Sequence, residues 1–454
     1  MKANGLSKIQ WLLTGLTLAV SLAGAWLING DGFPVGCPDE WARQLLSDFI
    51  YKHNCLPMGR ESEIIIGTYG FSYALRPYVT AIFGALCMKI VSIFSTSSHA
   101  LLFASRLCSV CAITMCFYFS CKLGNKLFSK RSSATLFSLV ICFLPQVMFL
   151  GMYQNNDMLS LMSAVMLLYF LVSGQRSHWA AKDCLGFGVS LSLGLLSYYS
   201  IYGWLLVGGV SFLYTLFMDR TVSTRKRFEK MGLIAGVVLL LAGWFFIRNA
   251  VLHNGDFFGM ATEDAWRAEL EAQGVEIFHY KTPSKWENAS FWNFITYEDF
   301  HWIRTTQKSF IGIFGFMNVL MKQEMYYIYY ALFGVGILLY ISVTLRCRRT
   351  KEHRMLFYIL LISSVITLGL SLYQSYFRDY QAQGRYIISA VILFAYMMAY
   401  SSDMLEVTLD GAIDVQQKRG WAPSKVRVDI AFSLIWVALF FKVFLETLSK
   451  MFIK

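Results

Sequence analysis

Residues 77–97 read PYVTAIFGALCMKIVSIFSTS, which is as long and apolar as a membrane span, and whether they cross sets the topology of everything after them. If they cross, the cluster Lys122, Lys126, Lys130 and Arg131 faces outward, with every later basic cluster of the same parity. If they lie in the interface or re-enter, the clusters at 122–131, 176–182, 220–230, 346–354 and 418–427 all fall inside. Short loops rich in Lys and Arg stay cytoplasmic. The stretch therefore reads as a non-spanning, juxtamembrane segment.

Eleven other apolar runs read as spans, near 9–29, 99–121, 132–152, 157–174, 184–200, 201–218, 232–250, 325–345, 355–375, 386–402 and 429–447. The first follows Lys2 and Lys8 and has no small-residue cleavage site before Asp31, so it reads as an uncleaved anchor with the N-terminus inside. Residues 184–218 hold no charge and have basic residues at both ends, so they cross an even number of times, as a hairpin turning near Tyr198–Gly203. The expected fold is an all-α polytopic membrane protein of about eleven transmembrane helices. It forms one transmembrane domain over 1–454, with large outer loops at 31–98 and 251–324 and smaller outer turns at 153–157 and 376–385.

Composition agrees. Of 454 residues, 56% are hydrophobic and only 15% charged, against roughly 45–50% and 25% in soluble domains. A soluble fold, disorder, collagen and a disulfide scaffold are excluded. The formal charge of +12 would suggest nucleic acid in a soluble protein. Here the excess sits in the inner clusters, facing anionic headgroups, and no nucleic-acid partner is implied.

Polar chemistry gathers on the outer side. The first outer loop opens Gly36-Cys37-Pro38-Asp39-Glu40, and Trp41, Leu45 and Phe49 then recur at helical spacing. Asp39 starts that helix, either as a simple cap or facing a cleft at the membrane edge. Gln154-Asn155-Asn156-Asp157 fills one outer turn, Arg248-Asn249 ends a span ahead of Gly255-Asp256, and Arg378-Asp379 precedes Gln383-Gly384-Arg385-Tyr386. Singly, Arg248 or Arg385 can snorkel or pair with Asp157 or Asp379. Several ionisable groups from separate spans on one face point instead to a site. Carboxylates with guanidiniums suit deprotonation of a hydroxyl and capture of a phosphate leaving group.

Other features carry less. The seven His form no HxxxH pair, which leaves zinc without support. Cys108 and Cys111 lie in an apolar span and read as helix-packing residues. Cys37 and Cys55 bracket the Asp39 helix in an outer loop, where an oxidising exterior permits a bridge. Asn288-Ala289-Ser290 is a glycosylation sequon. Trp266, Trp286, Phe291, Trp292, Phe294 and Trp302 read as an interfacial belt, part of which suits sugar stacking. Segment 309–320 is too short to span and reads as a side cover for the site.

Together, Pro38-Asp39-Glu40, Pro145 ahead of Asn155-Asn156-Asp157, Arg248-Asn249 with Gly255-Asp256, and Gln383-Gly384-Arg385-Tyr386 resemble the GT-C glycosyltransferases. The resemblance is to the protein O-mannosyltransferase and aminoarabinose-transferase type, including bacterial integral membrane proteins, and covers most of the chain by order and topology. It implies a polyprenyl-phosphate-linked sugar as donor and a hydroxyl of a glycan, lipid or protein as acceptor. Transfer would invert the anomeric carbon at the outer face of a bacterial cytoplasmic membrane. Carried onto this sequence, Asp39 is the general base and Glu40 orients the acceptor or the helix. Arg385, Arg248, Arg378 and Arg76 are donor phosphate ligands, while Asn156, Asp157, Gln383, Tyr386, Asn249 and Tyr198 line the substrate site. Segments 77–97 and 309–320 would shape the lipid groove.

The chain departs from the pattern twice. Relatives often have Pro-Pro where Arg76-Pro77-Tyr78 stands, so Arg76 is either an extra phosphate ligand or an interfacial anchor; they commonly have a Lys in the hairpin where Tyr198-Tyr199 stands, which shifts phosphate binding onto the arginines. A divalent metal stays open, because carboxylates at 39, 40 and 157 are placed to converge, although the mannosyltransferase-like relatives do not require one. A lipid-linked glycan polymerase or ligase remains an alternative. A flippase or transporter fits less well, since only 7 Pro occur and the polar residues cluster at one face, not at mid-span. A structural scaffold would not need the converging charges.

Overall fold

The computed structural model describes residues 5–28, 36–67, 69–278, 282–286, 290–296, 301–347, 350–417 and 427–452, with 406–417 described through their backbone only. The helices run α1 Lys8–Leu27, α2 Glu40–His53, α3 Val79–Val91, α4 Ser98–Leu127, α5 Arg131–Cys142, α6 Pro145–Leu150, α7 Asp157–Arg176, α8 Ala181–Leu195 and α9 Tyr202–Met218. They continue through α10 Thr224–Val238, α11 Trp244–Leu252, α12 Met260–Ala272, α13 Phe291–Thr296, α14 Trp302–Gly312, α15 Gln323–Arg346, α16 Lys351–Phe377, α17 Val391–Gln417 and α18 Val428–Glu446. A π-helical turn, Leu239–Gly243, joins α10 to α11 without a break, and a 3-10 helix, Gly384–Ala390, leads into α17. The described sheet is one small antiparallel hairpin, Ile313–Phe314 with Val319–Leu320.

Among the described residues nine helices are long and apolar enough to span a bilayer, and they fall on nine of the eleven expected spans. The chain is a multi-pass membrane protein. The other two expected spans are shorter. The run 132–152 breaks after α5, because Pro145 has no N–H to continue the ladder and holds Leu144 in an extended conformation (φ −69°, ψ 129°). The run 184–200 stops at Leu195 and turns through Tyr199–Ile201 into α9, which makes the hairpin. Segment 77–97 yields only the 13 residues of α3. At 1.5 Å per residue that is about 20 Å, short of the roughly 30 Å hydrocarbon core. Its small residues face inward. A Cβ on Gly84 would touch Ser47 Oγ at 3.1 Å and the Ser105 backbone at 3.2 Å, while Phe83, Leu86 and Ile90 stay exposed on the other side.

Polar side chains set the registers inside the bundle. Gln10 closes a capping box with Ser7 at the start of α1, and its amide exchanges two 3.0 Å hydrogen bonds with Asn125 near the end of α4. Asp403 accepts from the Ser129 and Lys130 N–H groups at 2.8 and 3.0 Å, which satisfies the start of α5. The described basic clusters meet at this end. Arg176 pairs with Glu352, and His178 with Asp219. Residues 418–426 of the last cluster lie outside the described residues. The opposite end of the bundle holds Asp39.

Candidate functional site

Asp39 precedes α2 in the left-handed conformation, φ 59°, and its side chain makes no capping bond to the helix. Instead Oδ2 accepts from Arg385 Nη2 at 2.7 Å. The two ends of this pair differ in access: Arg385 is 6% exposed, Asp39 37%. Burial would raise the Asp39 carboxyl, but the Arg385 and Arg43 guanidiniums outweigh it and hold Asp39 below its ordinary value. Arg385 also donates to Tyr386 Oη at 3.0 Å. Its position depends on Gly384, where a Cβ would lie 2.1 Å from Phe310 N and 2.6 Å from Thr306 O. The start of the 309–320 segment is thus packed directly on the turn that carries Arg385, and Ser309 Oγ accepts from Gly384 N at 2.6 Å.

Glu40 points away from Asp39. It forms a two-pronged pair with Arg106 of α4, at 2.8 Å from Nε and 2.7 Å from Nη2, and accepts from Gln154 N at 2.8 Å. Arg106 donates its remaining nitrogen to the carbonyls of Ala25 and Ile28, both at 2.8 Å. These are orphan carbonyls at the end of α1. Both charges are buried, and the pair ties α1, α2, α4 and the 154 turn to one another beside Asp39. Cys37 is buried and Cys55 exposed, and both are free thiols. A bridge, which the compartment alone would permit, is absent for a geometric reason: the 14-residue α2 lies between them. It spans about 21 Å, far beyond disulfide reach.

Trp41 is exposed, while Arg43, Leu46, Ser47 and Ile50 turn inward with Phe49. Arg43 lies one turn after Asp39, its guanidinium 4.9 Å from the Tyr73 ring centre and 5.9 Å from that of Tyr198. Its buried Nε has no hydrogen-bond partner among the described residues. Tyr198 stacks on Tyr386 with centroids 5.6 Å apart and rings inclined by 12°. Two small cavities flank Arg43, and Arg76 and Pro77 line both. The second reaches Asn156, Tyr198 and Tyr199. Arg76 is held by Glu263 of α12 at 2.9 Å and lies 5.1 Å from the Phe71 ring centre.

The remaining sequence-derived site residues divide in two. Arg248 spends its guanidinium on the Leu56 and Pro57 carbonyls (3.2 and 2.7 Å) and on Tyr78 Oη, so it fastens a loop. Arg378 is exposed at the end of α16, and among the described residues no hydrogen bond or ion pair joins its side chain to the cluster. Asn249 donates to Leu75 O at 3.0 Å, and Asn156 to Pro77 O and Ser197 O while accepting from Thr80 Oγ1. The Asn156 amide is fully used in these bonds, whereas the buried Asn249 Oδ1 has no partner among the described residues. Asp157, Gln383 and Tyr386 stay at the site, and the buried Asp157 Oδ1 and Gln383 Oε1 lack partners among the described residues. Among the described residues no three His, Cys, Asp or Glu come together as metal ligands. Of the three carboxylates considered, Glu40 is drawn away by its pair with Arg106, while Asp39 is bound to Arg385. The sequon Asn288-Ala289-Ser290 falls partly on residues outside those described.

Sequence reading missed Arg43, Arg106, Tyr73 and Tyr153. A signal existed for two of them. Arg43 is at i+4 from Asp39 on one helix, and Arg106 is a lone charge within a long apolar span.

Comparisons with known proteins agree with this architecture. Three solved structures superpose on nearly the whole chain. Against the archaeal oligosaccharyltransferase AglB from Archaeoglobus fulgidus, in complex with an inhibitory peptide and a dolichol-phosphate, the TM-score is 0.53 at 13% identity, covering 95% of this chain and 55% of that one. Against ArnT from Cupriavidus metallidurans bound to undecaprenyl phosphate it is 0.52 at 12%, covering 98% and 74%. Against the arabinosyltransferase EmbB from Mycobacterium smegmatis it is 0.51 at 12%, covering 98% and 39%. The chain thus spans about half the length of the archaeal enzyme. No curated protein matches it in sequence. Residues 50–394 match the family described as predicted membrane protein (DUF2142). With its GT-C fold, the chain belongs to that family.

Proposed function

We propose that the protein is a membrane glycosyltransferase that moves a sugar from a polyprenyl phosphate to an acceptor hydroxyl, with inversion. The observation that carries this reading is the 2.7 Å contact between a half-open carboxylate, Asp39, and a buried guanidinium, Arg385, with a second unspent guanidinium, Arg43, on the same helix as the carboxylate. One group suits a proton and the others suit a departing phosphate.

In the proposed step the acceptor oxygen gives its proton to Asp39 and bonds to the anomeric carbon from the face opposite the phosphate. The bond from that carbon to the phosphate oxygen breaks, and its electron pair leaves with polyprenyl phosphate. Arg385, Arg43 and Arg76 meet the negative charge as it grows, in place of the lysine that relatives carry near 198. Arrival of the donor phosphate at Arg385 would also loosen its hold on Asp39 and free the carboxylate to act as base. Arg248 and Arg378 are left out, since one is spent on carbonyls and the other is exposed away from the cluster. The lipid-phosphate complexes of AglB and ArnT on the same fold support this class of donor. The basic clusters gathered at the far end support an N-terminus inside and a site on the outer face of a bacterial cytoplasmic membrane.

The test is release of free polyprenyl phosphate by the purified chain in lipid nanodiscs, given undecaprenyl-phosphate-linked mannose, glucose or arabinose and a mixture of glycan and peptide acceptors. The expected result is release with at least one donor and an inverted linkage in the product. Absence of both binding and release across the donor panel overturns the proposal.

A further inference from the structure

The turn at 153–157 is divided in its use of hydrogen bonds. Asn155 and Asn156 are spent on structure, and Gln154 is half spent, its amide N–H donating while its buried Oε1 has no partner among the described residues. Gln154 donates to Ser47 Oγ at 2.7 Å; Asn155 donates to the Leu150 and Tyr153 carbonyls and accepts from Met158 N; Asn156 makes the three bonds given above. The two end residues are not spent. Tyr153 is fully buried and Asp157 nearly so, yet Tyr153 Oη and Asp157 Oδ1 have no hydrogen-bond partner among the described residues. A buried tyrosine hydroxyl ordinarily finds one, and an unsatisfied buried polar atom costs about 1–3 kcal/mol. Packing does not call for the hydroxyl. The ring sits against Phe149 at 4.8 Å between centroids, where phenylalanine would serve equally. Both orphans lie within electrostatic reach of Arg385 and Asp39, the pair at the centre of the site.

We infer that Tyr153 and Asp157 form a sugar-reading pair beneath Arg385, with Tyr153 Oη donating to one ring hydroxyl of the donor sugar and Asp157 accepting from its neighbour. A donor beside an acceptor matches two vicinal hydroxyls. Arg43 and Arg76, by the cavities, serve the phosphate, which every donor shares, so the turn supplies the part of recognition that differs between sugars. This inference rests on the proposed lipid-linked donor.

The experiment measures binding of three probes to the full chain in nanodiscs: undecaprenyl phosphate without sugar, undecaprenyl-phosphate-mannose and undecaprenyl-phosphate-glucose. Wild type is compared with Tyr153→Phe and Asp157→Asn, with thermal unfolding as the check on folding. The wild type is expected to prefer at least one glycosylated lipid to the bare one. Tyr153→Phe should lose about three- to tenfold in affinity for that lipid, the worth of one hydrogen bond, with binding of bare undecaprenyl phosphate unchanged. Asp157→Asn is expected to narrow the same gap. Equal wild-type affinity for bare and glycosylated lipids overturns the sugar-reading pair and leaves the donor reading standing. So does a Tyr153→Phe variant that weakens all three probes alike or none. A wild type that binds no polyprenyl phosphate overturns both.

Discussion

Asp39 and Arg385 stand 346 positions apart in the chain and 2.7 Å apart in space. One begins a short helix after the first span, and the other sits in the 3-10 turn that opens a late one. Their meeting brings the two ends of the sequence pattern to a single point. It also decides the choice of variant. Asparagine is among the residues that best tolerate the left-handed backbone at φ 59°, so Asp39→Asn removes the proposed base and keeps the fold. Turnover of a polyprenyl-phosphate sugar should fall by about 10²–10⁴-fold, the range for a lost general base, with thermal unfolding nearly unchanged. Near-normal turnover in this variant removes Asp39 from the role of base.

The pH profile should separate two carboxylates at the site. Asp39 is held below its ordinary value of 3.8, so it is ionised throughout the neutral range and cannot cause a loss of activity between pH 5 and 7. Asp379, in the turn just ahead of Arg385, is pushed by burial up to about 6. Between pH 3.8 and about 6 the folded protein therefore binds more protons at Asp379 than the unfolded chain does, and stability falls as pH rises through that window. Asp379→Asn should abolish this slope and raise the thermal midpoint at pH 7 relative to wild type, with little change at pH 4. A slope that persists in the variant assigns it to another group.

Much of the fold was legible because membrane physics leaves few choices. Nine of the eleven expected spans are single long helices, since about twenty apolar residues in lipid must satisfy their backbone internally. The two exceptions show the limit of hydropathy. It registers the apolar run at 132–152 but not the break that Pro145 imposes, and it does not say where α8 stops. At the site, Asp39, Asp157, Arg385 and Tyr386 were legible as polar residues at span ends. What a side chain is spent on was not. Arg248 and Arg385 look alike in sequence, but one faces two loop carbonyls and the other a carboxylate. Glu40 follows Asp39 directly, and a change of backbone conformation at Asp39 sends the two side chains to different partners.

The buried pair of Glu40 and Arg106 should behave as a structural unit. Removal of one partner leaves the other charge buried, which costs about 3–5 kcal/mol, whereas apolar replacement of both is often near neutral. Glu40→Gln and Arg106→Leu should each lower the thermal midpoint strongly. The double variant Glu40→Leu with Arg106→Leu should recover much of that loss while activity stays low, because α2 no longer presents Asp39 at a fixed angle. Additive losses in the double variant rule out the coupling.

Arg43 makes the sharpest test of how the cations divide their work. It touches no carboxylate directly, and its contacts are the faces of Tyr73 and Tyr198. Arg43→Ala should therefore raise the apparent KM for the lipid-linked donor by about tenfold or more, since a charge-assisted hydrogen bond to phosphate is worth about 1.5–3 kcal/mol. The KM for the acceptor should hardly move. Arg43→Lys keeps the charge but lacks the planar fork that lies on the rings, so it should recover only part of the donor affinity. Arg385→Ala should also impair donor use more than acceptor use, but with a larger loss of kcat, because its guanidinium contacts the proposed base, Asp39, as well. If Arg43→Ala raises the acceptor KM and leaves the donor untouched, the cavities beside it belong to the acceptor, and the phosphate lies nearer Arg385.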